Sequence, residues 1–291
     1  MVDQAKALRD IAANKSGCHN KLTHKSRIIT ITSGKGGVGK SNLTANLALA
    51  MANKGEKVVI LDADFGMANV DIIFGLIPRL NLYDVVKGQK NLEEIILHGP
   101  KGIKIVPGGT GFLELANLMD FQRQRLLNQL LELEKEADII LIDTGAGISK
   151  TVIGFIAAAH DVLVITTPEP TSITDAYGIS KVINKYDLQK EVKLVVNQVK
   201  NAQEGQEVAV RFSKVSDNYL QLKIDYLGYI LHDNAVLRSV REQQPFIILY
   251  PDSKAAQCIE NIADNLLSPG SNSNEISGMR GFFSKISKIF S

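Results

Sequence analysis

The chain has 291 residues, of which 45% are hydrophobic, and it carries 33 basic and 31 acidic side chains. This composition is typical of a soluble globular protein with a sizeable core, arranged as one large α/β domain or two small ones. The sequence has neither a run of about 18 apolar residues nor the apolar core of a secretion signal, which predicts a cytoplasmic protein without a membrane-spanning helix. The two cysteines, Cys18 and Cys258, lie too far apart to indicate a disulfide framework, a zinc site or an iron–sulfur scaffold.

Charge is distributed unevenly along the chain. Six basic and two acidic residues lie in the first 27 positions, and three basic residues and one acidic residue follow position 267. The body between them therefore has a net charge of −4. Basic ends on a mildly acidic body predict that the ends, and not the body, meet an anionic or protein surface.

The composition divides the chain into four segments. Residues 1–25 contain a predicted short helix, Asp3–Ala13, and a polar tether. Residues 26–267 form the predicted folded domain. Residues 268–277 are small and polar, which predicts a flexible linker. Residues 278–291 form a predicted amphipathic helix.

Seven short β-branched runs alternate with helical stretches in the domain. Because these runs are apolar at almost every position, they predict strands buried on both faces, as in a parallel sheet. Strand–helix–strand units in series predict an α/β fold, a doubly wound and mostly parallel sheet with helices on both faces. The runs are RIITIT (27–32), KVVILD (57–62), IKIVPG (103–108), DIILID (138–143), DVLVIT (161–166), VKLVVN (192–197) and DYLGYI (225–230).

Two helices have distinct sequence signals. Between the first two strands, Leu43, Leu47 and Ala50 recur at helical spacing, and Gly55 is suited to end the helix. Further along, LLNQLLELEKE (126–136) predicts an amphipathic helix whose leucines face the core, with a partner-binding surface as the alternative.

The first strand leads into a phosphate-binding loop within ITSGKGGVGKSNLT (31–44). Its glycines let backbone N–H groups form a nest for phosphate oxygens, and the following helix adds its positive N-terminal end. Lys40 is expected to reach the β- and γ-phosphates of ATP, and Ser41 to bind Mg²⁺. The predicted nucleotide-binding residues of this loop are Gly34, Lys35, Gly36, Gly37, Val38, Gly39, Lys40, Ser41 and Asn42.

Magnesium also needs a carboxylate, usually at the end of a neighbouring strand. Asp143 ends the run DIILID, and the glycines after it permit the bends of a nucleotide-sensing loop. In LDADFGMANVD (61–71), Asp62 and Asp64 point the same way if the strand continues. One could lie near the metal while the other positions the attacking water. A helix cap or surface acid is the alternative for Asp64, and the favoured interpretation of Asp71.

Four motifs together resemble the MinD/ParA group of deviant-Walker ATPases: SGKGGVGKSN, LDADFGMANVD, DTGAG and HDNAVLRSVREQQPF. They span most of the domain in the expected order. The resemblance implies a MinD-like P-loop fold, weak regulatory ATP hydrolysis and a dimer formed face to face around two ATP molecules. It further implies roles for Lys35, Lys40 and Asp64 in catalysis, for Ser41, Asp62 and Asp143 at the magnesium, and for Asn197 at the adenine.

Lys35 is the position that this family calls its signature lysine, and the resemblance implies that it reaches across to the partner subunit's nucleotide. Two triphosphates that face each other across an interface repel strongly, and a cation from each subunit offsets that repulsion. Losing the γ-phosphate would loosen such a dimer, so that the nucleotide state becomes the assembly state.

The C-terminal segment GMRGFFSKISKIFS (278–291) has one continuous apolar helical face. A helix packed on its own domain would show the same pattern. Exclusively basic charges, two adjacent phenylalanines and the preceding linker favour a helix that binds anionic membrane lipids. The two states can alternate, with the helix docked on the monomer and released by ATP to the inner face of the cell membrane. The apolar face comprises Met279, Phe282, Phe283, Ile286, Ile289 and Phe290.

The N-terminal element DQAKALR (3–9) resembles the DQAxxLR element of the FlhG group (YlxH/FleN), MinD-like regulators of flagellar number and placement. DTGAG also resembles this group, whereas MinD generally has a proline at the position of Gly145. The resemblance implies a helix that binds and stimulates the signal-recognition-type GTPase FlhF, and it implies flagellar basal-body or C-ring partners. A tail without a partner is the alternative. The implied FlhF-binding residues are Asp3, Gln4, Ala5, Leu8 and Arg9.

The preferred interpretation is a nucleotide-switched, membrane- and partner-binding ATPase that controls flagellar assembly. A division-site ATPase of MinD type has no use for residues 3–9. A cargo-positioning ATPase of ParA type would need a basic DNA-binding patch, which the net charge of −4 disfavours. A metabolic ligase or cluster carrier with the same loop is disfavoured because cluster cysteines are missing.

Overall fold

The structure is a computed structural model that describes residues 26–64, 70–109, 119–268 and 278–290, without the side chains of residues 120, 123, 283 and 287–290. Its strands are β1 Arg27–Thr32, β2 Val58–Ala63, β3 Leu97–His98, β4 Lys104–Pro107, β5 Ile139–Thr144, β6 Asp161–Thr166, β7 Glu191–Val199 and β8 Lys223–Leu231. They form one sheet in the order β3-β4-β2-β5-β1-β6-β7-β8. Every pairing is parallel except that of β3 with β4, so the predicted doubly wound, mostly parallel sheet is confirmed.

Helices of very different length connect the strands. They are α1 Lys40–Asn53, α2 Val70–Ile73, α3 Leu82–Val86, α4 Leu92–Ile95, α5 Asp120–Glu134, α6 Lys150–Ala158, α7 Pro170–Lys185, α8 Ala202–Tyr219, α9 Asn234–Arg241, α10 Phe246–Leu249, α11 Lys254–Leu267 and α12 Gly278–Phe290, with a 3₁₀ turn at Pro100–Gly102.

Burial on both faces explains why the strands could be predicted. All residues of β1, β2, β5 and β6 are buried, because helices cover the two sides of the sheet. Each of the seven predicted runs overlaps one of the observed strands. The antiparallel edge strand β3 was missed, since two residues are too short to carry a periodic signal.

The two predicted helix signals are also confirmed. Helix α1 buries Leu43, Leu47 and Ala50 under one face of the sheet, in a core shared with α11. It ends before Gly55, whose φ of +96° lies in the left-handed region that favours glycine. On the other face, α5 buries three leucines, as expected for core packing: Leu126, Leu130 and Leu133.

The C-terminal helix α12 packs on the domain in this structure. Met279, Phe282 and Ile286 are buried in the same core as the α5 leucines. The ring of Phe282 stacks on that of Phe155 from α6, with centroids 6.1 Å apart and an angle of 13° between the planes. Full burial of such side chains stabilises the docked state by about 1.5–3 kcal/mol each at most. Membrane binding by this face remains a prediction for an undocked state.

Some predictions lie outside the described residues. These are the N-terminal helix Asp3–Ala13, the FlhF-binding residues within it, most of the linker 268–277, and the side chains of Phe283, Ile289 and Phe290. Within the described part of the chain, no helix combines the length and apolarity needed to cross a bilayer.

Candidate functional site

The phosphate-binding loop connects β1 to the N-terminus of α1, as the sequence predicts. Gly37 and Gly39 have φ values of +79° and +91°, in the left-handed region that favours glycine. Gly39 is also confined by space, because a Cβ built there would lie 2.4 Å from Nδ2 of Asn197. The loop therefore depends on glycine both for its backbone turn and for its close contact with β7.

A buried ion pair lies directly behind the loop. Lys40 Nζ is 2.8 Å from Oδ1 of Asp143, and the hydroxyl of Thr44 donates to the same oxygen at 3.1 Å. The second oxygen of Asp143, Oδ2, is buried without a hydrogen-bond partner among the described residues. Such an unpaired carboxylate oxygen fits a site that a cation or its bound water would complete.

Asp62 lies beside this pair on the neighbouring strand. Asp62 and Asp143 are aligned Cα to Cα at the carboxyl ends of β2 and β5. Burial, and secondarily the charge of Asp143, raises the pKa of Asp62 to about 7. With the Ser41 hydroxyl at the start of α1, these two carboxylates give oxygen ligands of the kind Mg²⁺ prefers. The described residues contain no group of three or more His, Cys, Asp or Glu side chains that could hold a metal alone, so phosphate oxygens and waters would supply the remaining ligands.

Asp64 follows at the end of β2 and faces the switch sequence. Its backbone N–H donates to Oδ1 of Asp62 at 3.1 Å. Its own Oδ1 would lie 3.5 Å from a Cβ built on Gly145, so the small residue at 145 leaves room for this carboxylate. Gly147, with φ +86°, donates its N–H to the Ser33 carbonyl at 2.8 Å and so joins the switch loop to the phosphate loop. The structure thus brings Asp64 next to the switch loop, which in turn contacts the phosphate loop.

Among the described residues, the Asp71 side chain bonds within its own helix and not to Asp62, Asp64 or Asp143. It lies in the first turn of α2, where Oδ1 accepts the N–H of Ile72 at 2.9 Å, and burial raises its pKa. That agrees with the local helix-end role expected for it, although the side chain is buried and not at the surface.

A cavity of about 470 Å³ opens beside the loop, between β7, β8 and α9. Its wall is mostly apolar, and Val236, Leu237 and Phe246 line it together with Gly39 of the phosphate loop. Asn197 also lines the cavity, but its amide already donates to the Val38 carbonyl at 2.7 Å and accepts from the next backbone N–H at 2.8 Å. The apolar wall was not predicted from the sequence, although its residues lie within the motif HDNAVLRSVREQQPF and just before it.

Lys35 differs from Lys40 in direction and exposure. The Lys35 side chain is 40% exposed, against 8% for Lys40. Its Nζ lies 2.7 Å from Oε2 of Glu169 and 3.2 Å from the Thr171 hydroxyl, near the start of α7. The second lysine of the loop therefore points outward along the protein surface, away from the buried carboxylates.

A glycine loop, a buried lysine and carboxylates at the carboxyl edge of a parallel sheet together define a P-loop nucleoside triphosphatase. The ParA family, described as "NUBPL iron-transfer P-loop NTPase", matches residues 24–267. The chain belongs to this family, and it is an ATPase.

Relatives of the whole chain include regulators of flagella. The chain is 37% identical to the antiactivator FleN of Pseudomonas aeruginosa over 243 residues, which cover 84% of this chain and 87% of that protein. It is 37% identical to the flagellum site-determining protein YlxH of Helicobacter pylori over 288 residues, which cover 97% of this chain and 96% of that protein. Its fold is similar to that of the septum site-determining protein MinD of Pyrococcus horikoshii, solved with Mg-ADP, with a TM-score of 0.66, 25% identity and coverage of 84% and 98%.

Proposed function

We propose that this chain is an ATPase of FlhG type that regulates flagellar number and placement by switching between a monomer and an ATP-bound, membrane-associated dimer. The observation that carries the proposal is the extent of the similarity to YlxH. That similarity covers 97% of this chain, and so continues from the ATPase domain into both ends. A similarity confined to the ATPase domain would support neither the N-terminal nor the C-terminal part of the proposal.

ATP and Mg²⁺ would bind at the buried lysine–aspartate pair. Lys40 would exchange Asp143 for the β- and γ-phosphates, which frees the Asp143 carboxylate. Ser41, Asp62 and Asp143 are the residues that would hold the ion. When bound, Mg²⁺ supplies positive charge that neutralises the phosphate oxygens. A change at Asp143 passes directly into the DTGAG loop, because that loop begins at Asp143.

Asp64 is the proposed residue for the hydrolytic water. It is placed at the end of β2 beside Gly145, where a carboxylate can accept hydrogen bonds from a water that faces the phosphate site. The close approach of Asp64 to Gly145 supports coupling between this carboxylate and the switch loop.

Lys35 is the proposed link between nucleotide and assembly. To reach across a dimer it must leave Glu169 and Thr171, which hold it in the single chain. An exposed ion pair of this kind contributes only about 0–1 kcal/mol, so ATP in a facing subunit can compete for the lysine at little cost. Its outward direction supports a role in the dimer over a role at its own phosphates.

The C-terminal helix is the proposed membrane contact. In the single chain, its apolar face is occupied by the core of the domain. Release of the helix by ATP would transfer that face to a bilayer surface, with Arg280 and Lys285, both exposed here, near anionic lipids. One short helix binds weakly, and a dimer adds a second, effectively intramolecular insertion. Membrane attachment would then follow the ATP state.

The decisive test of the flagellar assignment concerns the N-terminus. A peptide of residues 1–25 should stimulate GTP hydrolysis by FlhF, and a peptide with Gln4→Ala should not, because Gln4 is proposed to position the catalytic water. No stimulation by the unchanged peptide would refute the proposed activation of FlhF by the N-terminal segment. If the chain with ATP then co-sediments with lipid vesicles and not with DNA, its function differs from that of a DNA-binding ParA.

A further inference from the structure

A buried carboxylate connects the two ends of the described chain. Glu134, the last residue of α5, is only 7% exposed although it can carry a charge. Its Oε1 accepts the backbone N–H of Met279, in the first turn of α12, at 2.9 Å. The same oxygen accepts the N–H of Ser26, the residue before β1, at 3.3 Å. One oxygen atom thus binds the start of the C-terminal helix and the start of the domain together.

The backbone reinforces the contact with Ser26. The Ser26 hydroxyl donates to the carbonyl oxygen of Glu134 at 3.0 Å and to that of Ala137. Ser26 is itself fully buried, and it directly follows the N-terminal segment 1–25. The N-terminal segment therefore joins the domain at the same place where α12 begins.

The residue that opens α12 is fitted to this carboxylate. Gly278 has φ +63°, in the left-handed region that favours glycine. A Cβ built on Gly278 would lie 2.2 Å from Oε1 of Glu134, so a side chain here would displace this carboxylate from its hydrogen bonds. Glycine is therefore needed for both the turn and the approach. The positive N-terminal end of α12 also favours a carboxylate at this position.

Glu134 makes no ion pair with any other described residue. The backbone N–H groups of Ser26 and Met279 therefore stabilise its carboxylate. A buried carboxylate is costly unless donors satisfy it, and each donor is therefore worth more while the other is present. When α12 leaves, water reaches the carboxylate and replaces both donors. When Ser26 shifts, the carboxylate under α12 loses one of its two donors, which weakens docking of the helix.

We propose that Glu134 is a latch that couples docking of the C-terminal helix to the position of the chain at Ser26, and hence to the N-terminal segment. Binding of a partner to the N-terminal segment would then loosen α12, and release of α12 would loosen the N-terminal segment. This contact lies at the amino-terminal edge of the sheet, where β1 begins, whereas the nucleotide site lies at the carboxyl edge. It rests on the proposed function in one respect, namely that α12 leaves the domain at all.

Amide hydrogen exchange on the full chain, without nucleotide or lipid, tests the latch. Glu134→Ala should raise exchange of the α12 amides about ten-fold or more, the effect expected for hydrogen bonds to a charged group. Glu132→Ala is the matched control, since Glu132 is exposed and, among the described residues, forms its ion pair with nearby Lys135. If Glu134→Ala lowers the yield of folded protein, Glu134→Gln keeps the shape without the charge and should give a smaller increase of the same sign.

The coupling is tested by a variant on the helix side. Gly278→Ala should release α12 and also raise exchange of the Ser26 amide several-fold, while amides inside β1 stay protected. In Glu134→Ala protein, adding Gly278→Ala should have much less effect, because the atom it collides with is gone.

Release of α12 by Gly278→Ala without any change at Ser26 would overturn the coupling, and α12 amides that stay protected in Glu134→Ala would overturn the latch. Because the measurement uses no lipid, a helix that never binds vesicles would refute the membrane proposal and leave the latch intact.

Discussion

Asp62 and Asp143 are aligned across two adjacent parallel strands, yet only Asp143 has a lysine within ion-pair distance among the described residues. Two carboxylates therefore share one buried edge of the sheet with a single buried cation. Burial, and secondarily the charge of Asp143, raises the pKa of Asp62 to about 7, so this carboxyl can take up a proton when no cation is present. The arrangement also supplies the negative charge that a divalent ion bound with ATP would neutralise.

The raised pKa predicts how stability depends on pH without nucleotide. The pKa of Asp62 is about 7 in the folded chain and near 3.8 when unfolded, so the folded state binds the extra proton between these values. Stability should therefore fall as pH rises, by at most about 1.4 kcal/mol per pH unit up to pH 7. Asp62→Asn should remove this slope. Urea midpoints of both proteins between pH 5 and 8 measure it, and parallel curves would show that Asp62 holds no proton.

The glycine at the turn of the phosphate loop offers a test with a close control. Gly39→Ala should weaken ATP binding at least ten-fold, because φ +91° and the amide of Asn197 both exclude a side chain there. Gly178→Ala is the control, since Gly178 lies in α7, outside the phosphate loop, and a Cβ there would meet nothing within 4 Å. Titration with a fluorescent ATP analogue measures both variants. Equal losses in the two would mean that the contact with Asn197 does not shape the loop.

Substitutions of Lys35 and Lys40 should separate the loss of dimerisation from the loss of nucleotide binding. Lys35→Ala should bind ATP with near-normal affinity and remain monomeric, because Lys35 points outward and not towards the buried carboxylates. Lys40→Ala should lose ATP binding itself. Light scattering after size-exclusion chromatography with ATP and Mg²⁺ gives the assembly state. A normal ATP-dependent dimer of Lys35→Ala would contradict the proposed role.

The parts of this site that could be predicted from sequence are those with a local signal. The loop, Lys40, Asp62 and Asp143 follow from glycine spacing and from acids that end β-branched runs. The ion pair of Lys35 with Glu169 could not be predicted, since these residues are 134 positions apart and both are polar surface residues. Glu134 is a similar case. In the sequence, Glu134 is one acid in a charged stretch. Only the fold brings it into contact with Met279, which lies 145 positions away.

Asp64→Ala should trap the dimer. If Asp64 positions the attacking water, its loss should lower ATP hydrolysis about 100-fold or more, while ATP binding through Lys40 is retained. ATP would then persist between the subunits, and the variant should elute as a dimer with ATP alone. An unchanged monomer with ATP, despite measured ATP binding, would count against this role.

Removal of residues 278–291 should abolish ATP-dependent binding to anionic vesicles and leave ATP binding intact, since the helix contacts α5 and α6 on the side of the domain away from the nucleotide cavity. The truncated chain should also be less stable, because Phe155 loses its stacked ring and the α5 leucines lose their cover.

Phe282→Ala makes a milder change: it should weaken docking by about 3–5 kcal/mol at most, and so release the helix without ATP. Vesicle pelleting with and without ATP distinguishes the two variants. The truncated chain should not pellet with ATP, and Phe282→Ala should pellet even without ATP. Pelleting of the truncated chain at the level of the full chain would place the membrane contact elsewhere in the molecule.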